Sequence, residues 1–119
     1  MNIIFDENLA NQLREKYTVL ELDTVMQPGL TQPIKLFAVV EVTNFSDITT
    51  LGFMRELHSE MITAYKSSEW QRAEELAAAL LGNFNGEVDE FYNLVIDFSK
   101  ESAKVNRSWD GIKHTVPKE

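Results

Sequence analysis

The 119-residue sequence predicts an α+β fold, in which a small antiparallel sheet of β-α-β-β order precedes a three-helix, tetratricopeptide-like segment. Three observations lead to this prediction. Residues 17–25 have the period of two that is typical of a strand, although neither face is cleanly apolar: one face carries Tyr17, Val19, Glu21, Asp23 and Val25, and the other carries Thr18, Leu20, Leu22 and Thr24. A Pro-Gly pair then separates this run from a second β-type run at residues 34–42, as in a hairpin. Beyond residue 50 the apolar residues recur every three or four positions, which is the period of an amphipathic helix.

Residues 1–42 account for the β part. The apolar run at residues 2–5 precedes Asp6, which offers a helix N-cap, so a strand and a short helix are expected before the hairpin. Pro28 suits turn position i+1, and Gly29 can take the positive φ that position i+2 of a type II turn requires. A lone hairpin is marginal in water. The β part is therefore expected to pair with further strands or a second copy, or to be covered by the chain's own helices.

The polar segment at residues 43–50 is expected to be a linker, with three helices over residues 51–103 and an irregular tail over residues 104–119. Ser68 and Gln71 have the spacing of a capping box at the start of the second helix. The apolar stripes are Leu51, Met54, Leu57, Met61, Ile62 and Tyr65 in the first helix, Trp70, Ala73, Ala77, Leu80 and Leu81 in the second, and Val88, Phe91, Tyr92, Val95 and Phe98 in the third.

Composition excludes several classes of function. The formal net charge of −8 opposes binding to nucleic acid, because attraction to phosphates supplies most of the non-specific affinity. No apolar run approaches the roughly 20 residues that span a bilayer, so membrane insertion is not expected. The absence of cysteine rules out disulfides and thiolate metal sites, and it fits a cytoplasmic location.

No pattern in the sequence predicts catalysis. His58 and His114 are far apart and lack the nearby partner that a metal site needs. Glu87, Asp89 and Glu90 suit the positive end of a helix dipole and do not have the spacing of a calcium loop. No glycine-rich phosphate-binding motif occurs. The sequence therefore predicts no catalytic, cofactor-binding or metal-binding residue in this chain.

Three aromatic residues are candidates for partner binding or for packing. The stretch AYKSSEWQRAEELAAAL resembles one tetratricopeptide hairpin, in which Tyr65 and Trp70 flank the turn. Their simpler role is to fill the core of the hairpin, because one repeat cannot form an extended groove. Trp109 stands in a polar tail, so its ring is expected to pack on these helices or on a partner.

The order of these segments resembles the end of a class III nucleotidyl cyclase. The stretch EKYTVLELDTVMQPGLTQPIKLFAVVE looks like the last strands of that catalytic domain, and IIFDENLANQL is similar to the strand and helix before them. The matching positions in the hairpin are Leu22, Asp23, Gly29, Pro33 and Phe37. Downstream, the helical extension of bacterial members is matched in order by Ala64, Tyr65, Trp70 and Ala73, and their terminal Trp-Asp-Gly by Trp109, Asp110 and Gly111. Pro28 departs from the family, which has a lysine in that turn.

The resemblance implies that this chain is the C-terminal part of a bacterial adenylate or guanylate cyclase. The parent would form cAMP or cGMP from ATP or GTP in signal transduction, using Mg²⁺ or Mn²⁺ held by residues upstream of this chain. The chain itself would be non-catalytic and would complete the fold or serve as an interaction platform. Its expected partners are the upstream cyclase domain, another protein or a second copy. The alternative is a free-standing, tetratricopeptide-like adaptor that binds proteins.

Overall fold

The computed structural model describes residues 1–41 and 48–114, and these residues form the predicted α+β fold. Residues 43–47 of the predicted linker lie outside the described residues, and the first long helix begins at Ile48. The elements in chain order are β1 (Asn2–Ile4), α1 (Glu7–Leu13), β2 (Thr18–Met26), β3 (Ile34–Val40), α2 (Ile48–Lys66), α3 (Trp70–Leu80), a 3₁₀ turn (Phe84–Gly86), α4 (Asp89–Lys104) and β4 (Lys113–His114).

The strands form one sheet in the order β1-β3-β2-β4. The strands β1, β3 and β2 are antiparallel neighbours, whereas β4 is parallel to β2 and pairs Lys113 with Val25. The segment predicted to be an irregular tail thus supplies a short strand. Two residues are too few to show an alternating pattern, so this strand has no signal in the sequence.

A β-bulge interrupts β2 in the middle of the sheet. Glu21 pairs with Phe37 but Thr24 pairs with Lys35, so β2 contains one more residue than β3 between these two pairs. Leu22 and Asp23 lie in this irregularity and are both buried. Bulges commonly re-aim side chains, and here Leu22 enters the main core while the carboxylate of Asp23 meets α2.

The two faces of the sheet are covered by different helices. On one face α1 packs through Ala10 against Val19 and Phe37. Asp6 caps α1 as predicted, because its Oδ1 accepts hydrogen bonds from the backbone N–H groups of Asn8 and Leu9. On the other face the helices α2, α3 and α4 form the main core. The sheet residues in this core are Leu20, Leu22, Ala38 and Val40, and its large helix residues include Met61, Tyr65, Leu80, Phe91, Tyr92 and Val95.

A Pro-Gly turn reverses the chain between β2 and β3. Leu30 N–H donates to the Gln27 carbonyl across the Pro-Gly turn, and Gly29 has a φ of 88° as predicted.

The predicted capping box at the start of α3 is wrong. Ser68 adopts a positive φ of 63° in the turn, so Glu69 occupies the N-cap position and makes no side-chain cap. The Gln71 side chain donates instead to Glu75.

Two buried serines in α4 generate a prediction about stability. The hydroxyls of Ser99 and Ser102 are fully buried and have no hydrogen-bond partner among the described residues. Because an unsatisfied buried hydroxyl is costly, we expect Ser99→Ala to raise the free energy of unfolding by about 1 kcal/mol. The exposed Ser59 of α2 is the matched control, since Ser59→Ala gains only helix propensity. Urea denaturation of both variants checks this, and a loss of stability in Ser99→Ala would show that the hydroxyl is satisfied.

Candidate functional site

The structure brings Tyr65, Trp70 and Trp109 together in one aromatic group with Phe98. Tyr65 ends α2, Trp70 begins α3, Phe98 lies on α4 and Trp109 follows α4 in the tail. The Trp109 ring centroid lies 4.9 Å from that of Phe98, 5.1 Å from that of Tyr65 and 5.9 Å from that of Trp70. The tail therefore packs on all three of the long helices.

The position of Trp109 is fixed by the end of helix α2. Its indole Nε1–H donates to the Tyr65 carbonyl over 3.0 Å. The last carbonyls of a helix have no partner within the helix, so the indole satisfies one of them. Gly111 lies against the same turn, and a Cβ added to it would come 3.2 Å from the Lys66 Cβ and 3.3 Å from the Lys66 carbonyl oxygen. Gly111 also has a φ of 81°, so the tail needs glycine here for two reasons.

Asp23 links this aromatic group to the sheet. The Tyr65 hydroxyl donates to Asp23 Oδ1 over 2.7 Å, and Lys113 Nζ lies 3.2 Å from Asp23 Oδ2. Burial, together with the negative charge of Asp23, raises the pKa of Tyr65 far above its ordinary value, so the hydroxyl keeps its proton and acts as a donor. The Lys113 ammonium also lies 5.1 Å from the Phe98 ring centroid. We refer to Asp23, Tyr65, Phe98, Trp109 and Lys113 as the tail-docking cluster.

Nothing in the sequence predicts that Asp23, Phe98 and Lys113 meet in the tail-docking cluster. Asp23 resembles an ordinary polar residue of an alternating strand, and Lys113 resembles a residue of a solvated tail. Phe98 is predicted only as part of the helix stripe. Their contacts join positions 42 and 90 residues apart, which local periodicity cannot reveal.

His58 is a packing residue at the centre of the helix–sheet interface. It is 2% exposed, and its Nε2 lies 2.6 Å from the Glu21 carbonyl oxygen. A carbonyl oxygen can only accept, so Nε2 carries the proton and Nδ1 accepts from the Tyr92 hydroxyl over 2.9 Å. Burial lowers the pKa of His58, although the Glu21 hydrogen bond and charge oppose this shift. Both ring nitrogens are occupied within the fold. The other histidine, His114, lies in β4.

The acidic residues before and within α4 have local roles. Asp89 and Glu90 lie in its first turn, and Asp89 Oδ1 accepts from the Gly82 N–H over 2.8 Å, which connects the end of α3 to α4. Glu87 lies 3.9 Å from the amino group of Met1. Within residues 1–41 and 48–114, no group of three or more His, Asp or Glu side chains could hold a metal ion.

A cavity of about 820 Å³ opens beside the tail-docking cluster. Phe98, Trp109, Val25 and Ile112 supply apolar surface, and Arg107 and Lys113 supply positive charge. The Arg107 guanidinium lies 4.8 Å from the Phe98 ring centroid. Ser108 and Asp110 complete the lining, so the cavity combines apolar surface with groups of both charges and has room for a ligand or a protein segment.

Comparison with known proteins yields no relative: no family model matches the chain, and neither the curated proteins nor the solved structures give a match. Among the helices of the described residues, none has both the length and the apolar character needed to cross a membrane.

Removal of the Trp109 ring should loosen the tail. Because the ring is partly buried against three aromatic side chains, we expect Trp109→Ala to lower the free energy of unfolding by about 2 kcal/mol. Trp109→Phe keeps an aromatic ring but loses the Nε1–H donor to Tyr65, and it should cost about 1 kcal/mol. Chemical denaturation measures both, and an unchanged midpoint in Trp109→Ala would show that the tail does not stabilise this fold.

Acidification should destabilise the fold through His58. The unfolded histidine gains a proton near its ordinary pKa of 6.5, whereas burial holds the folded pKa of His58 lower. The contribution of His58 to the free energy of unfolding is therefore fully present above about pH 6.5. It falls as the pH drops below that value, because the unfolded state then binds more protons than the folded state. We would compare unfolding free energies at pH 7.5 and 5.5 in a His114→Gln background, where His58 is the only histidine. Adding His58→Gln to this background should remove most of the difference between the two pH values. An equal difference with and without His58 would contradict the assignment of this pH dependence to His58.

Proposed function

We propose that this chain is the non-catalytic C-terminal part of a bacterial class III adenylate or guanylate cyclase. In this proposal β1, α1, β2 and β3 complete the catalytic sheet of the parent, and α2, α3 and α4 are its tetratricopeptide-like extension. The parent forms cAMP or cGMP from ATP or GTP in the cytoplasm as part of signal transduction. The upstream cyclase domain is the principal partner of this chain.

The observation that carries the proposal is the convergence of three motif segments. The Leu-Asp pair of the hairpin contains Asp23, the helical motif contains Tyr65, and the tail motif begins with Trp109. Tyr65 donates a hydrogen bond to Asp23 and accepts one from Trp109 through its carbonyl. Packing of the three segments into one unit is what the proposal expects. The contacts are consistent with the order of segments that the resemblance implies, and they support the proposal in that sense.

The role of the chain in this proposal is structural. Cyclisation needs a divalent metal to activate the attacking hydroxyl and to neutralise the triphosphate. The resemblance assigns the metal-binding aspartates and the transition-state residues to positions upstream of this chain. Pro28 replaces the turn lysine that could approach the phosphates. The chain would instead fix a helical platform to the last strands of the catalytic sheet through the tail-docking cluster.

One observation favours the alternative, a free-standing adaptor that binds proteins. The chain's own helices cover both faces of the sheet, with α1 on one side and the main core on the other. The faces of the sheet are therefore covered by helices of this chain, without a second domain. In this case the cavity between Phe98, Arg107 and Trp109 is the expected binding surface for a protein segment, because it combines apolar and positively charged groups.

The coding region upstream of Met1 distinguishes the two proposals. The cyclase proposal expects the reading frame to continue upstream and to encode a metal-binding aspartate motif and the helix with the catalytic Asn and Arg. An in-frame stop codon immediately upstream would contradict it and would leave the adaptor as the better proposal.

The chain by itself should bind neither ATP nor GTP. Its net charge of −8 repels polyphosphate, and no motif in its sequence cradles phosphates. We expect no measurable heat when either nucleotide is titrated with Mg²⁺ or Mn²⁺, and no cyclic product. Micromolar binding that is lost in Arg107→Ala, a cation of the cavity, but kept in Arg55→Ala on α2, would contradict the non-catalytic assignment.

A further inference from the structure

The cavity beside the tail-docking cluster is large enough for a small organic molecule. Its volume of about 820 Å³ lies in the range of small-molecule sites, which is roughly 300–1,000 Å³. The segment from Arg107 to Lys113 supplies most of the lining, and Phe98 of α4 and Val25 of β2 supply the rest. The cavity therefore exists because the tail folds back against α4 and the end of β2.

Two of the charged groups in the lining are already engaged within the fold. Lys113 Nζ forms an ion pair with Asp23, whose Oδ2 lies 3.2 Å away. Asp110 Oδ1 accepts a hydrogen bond from the Ile112 N–H over 3.0 Å. Both contacts hold the tail in place, so these two side chains belong to the wall of the cavity.

The Arg107 guanidinium is the cation that the fold leaves unpaired at this cavity. Within residues 1–41 and 48–114, no carboxylate lies within ion-pair distance of it. The residue is nevertheless held in position, because its Cζ lies 4.8 Å from the Phe98 ring centroid and its backbone N–H donates to the Ser102 carbonyl over 2.9 Å. The planar donors of a guanidinium match the two oxygens of a carboxylate, so Arg107 is suited to bind one.

The rest of the lining favours an apolar, flat body for the ligand. The side chains of Val25, Phe98, Trp109 and Ile112 are each only partly buried, so they offer apolar surface to the cavity. The Trp109 Nε1–H cannot serve a ligand, because it donates to the Tyr65 carbonyl. Aromatic rings pack well against other rings, so an aromatic body gains more from this lining than a polar one.

The charge of the chain limits the charge of the ligand. The net charge is −8, and Asp110 adds a carboxylate to the lining. A phosphate monoester carries about −1.5 to −2 at neutral pH, so it is repelled more strongly than a singly charged carboxylate. Among the residues that line the cavity, Arg107 alone is left to balance this charge. A monocarboxylate is therefore favoured over a phosphate.

We propose that this cavity binds a small aromatic monocarboxylate, whose carboxylate accepts hydrogen bonds from Arg107 and whose ring packs against Trp109 and Ile112. The volume of about 820 Å³ suits a whole small molecule and exceeds the space that a single acidic side chain of a partner would fill. The inference concerns the cavity alone and does not rest on the proposed function.

Titration of the 119-residue chain with phenylacetate, an aromatic monocarboxylate, tests the site. We expect a dissociation constant on the order of 1 mM or below, measured by the NMR shift of the Trp109 indole Nε1–H. Arg107→Ala should raise this constant at least about tenfold, because a hydrogen bond between charged groups is lost. The matched control is Arg55→Ala, which removes an exposed arginine of α2 outside the cavity and should change nothing. Absence of binding up to about 10 mM, or equal effects of the two variants, would overturn the proposal.

Further probes test which features of the ligand are recognised. Phenylacetamide keeps the ring without the charge, and acetate keeps the charge without the ring, so each should bind at least about tenfold more weakly than phenylacetate. Equal binding of either probe, or tighter binding of phenyl phosphate, would overturn the assignment of an aromatic monocarboxylate. Arg107→Lys keeps a cation beside Phe98 but loses the planar donors, and it should give an intermediate dissociation constant.

A peptide arm separates this proposal from the adaptor. An acidic peptide that binds the cavity while phenylacetate does not would overturn the small-molecule assignment and favour the adaptor. Circular dichroism checks that each variant is folded. These results leave the cyclase proposal unaffected, because the upstream coding region tests that proposal separately.

Discussion

The hydrogen bond from the buried Tyr65 hydroxyl to Asp23 is the interaction on which the arrangement of helices, tail and sheet depends. Asp23 is 8% exposed, and a buried carboxylate is costly unless donors surround it. One donor comes from α2 through Tyr65, and the other comes from the tail through Lys113. Both α2 and the tail therefore stabilise the carboxylate that the β-bulge turns inward. This links three segments that are distant in the sequence into one unit.

Other polar residues of α2 extend the connection between this helix and the sheet. Tyr65 and Lys66 follow His58 by seven and eight residues, which is about two helical turns, so all three lie on the side of α2 that faces the sheet. His58 bonds to the Glu21 carbonyl, Tyr65 bonds to Asp23, and Lys66 forms an ion pair with Glu21 and a hydrogen bond to Thr24. The polar groups fix the position of α2, while the apolar core beside them supplies the larger part of the free energy.

The sequence contains enough information for most of the fold. The Pro-Gly turn, the Asp6 cap and the apolar stripes of α2 and α4 are local signals, and the structure confirms them. The stripe of α3 is confirmed except at Leu81, which follows the last helical residue, leaves the helical conformation and is 37% exposed. Long-range features lack such signals. The bulge at Leu22 and Asp23, the strand β4 and the bond between Trp109 and Tyr65 depend on contacts across the chain. The capping-box prediction failed because the turn between α2 and α3 places Ser68 in the left-handed region.

A double-mutant cycle between Asp23 and Tyr65 tests the central claim most directly. Asp23→Ala, Tyr65→Phe and the double variant would be compared with the unmodified chain by chemical denaturation. A buried hydrogen bond to a charged group predicts a coupling free energy of about 1.5–3 kcal/mol between the two positions. The double variant should thus be much more stable than the sum of the single effects implies. A coupling energy near zero would contradict the account, because it would mean that sheet and helices are held together without this bond.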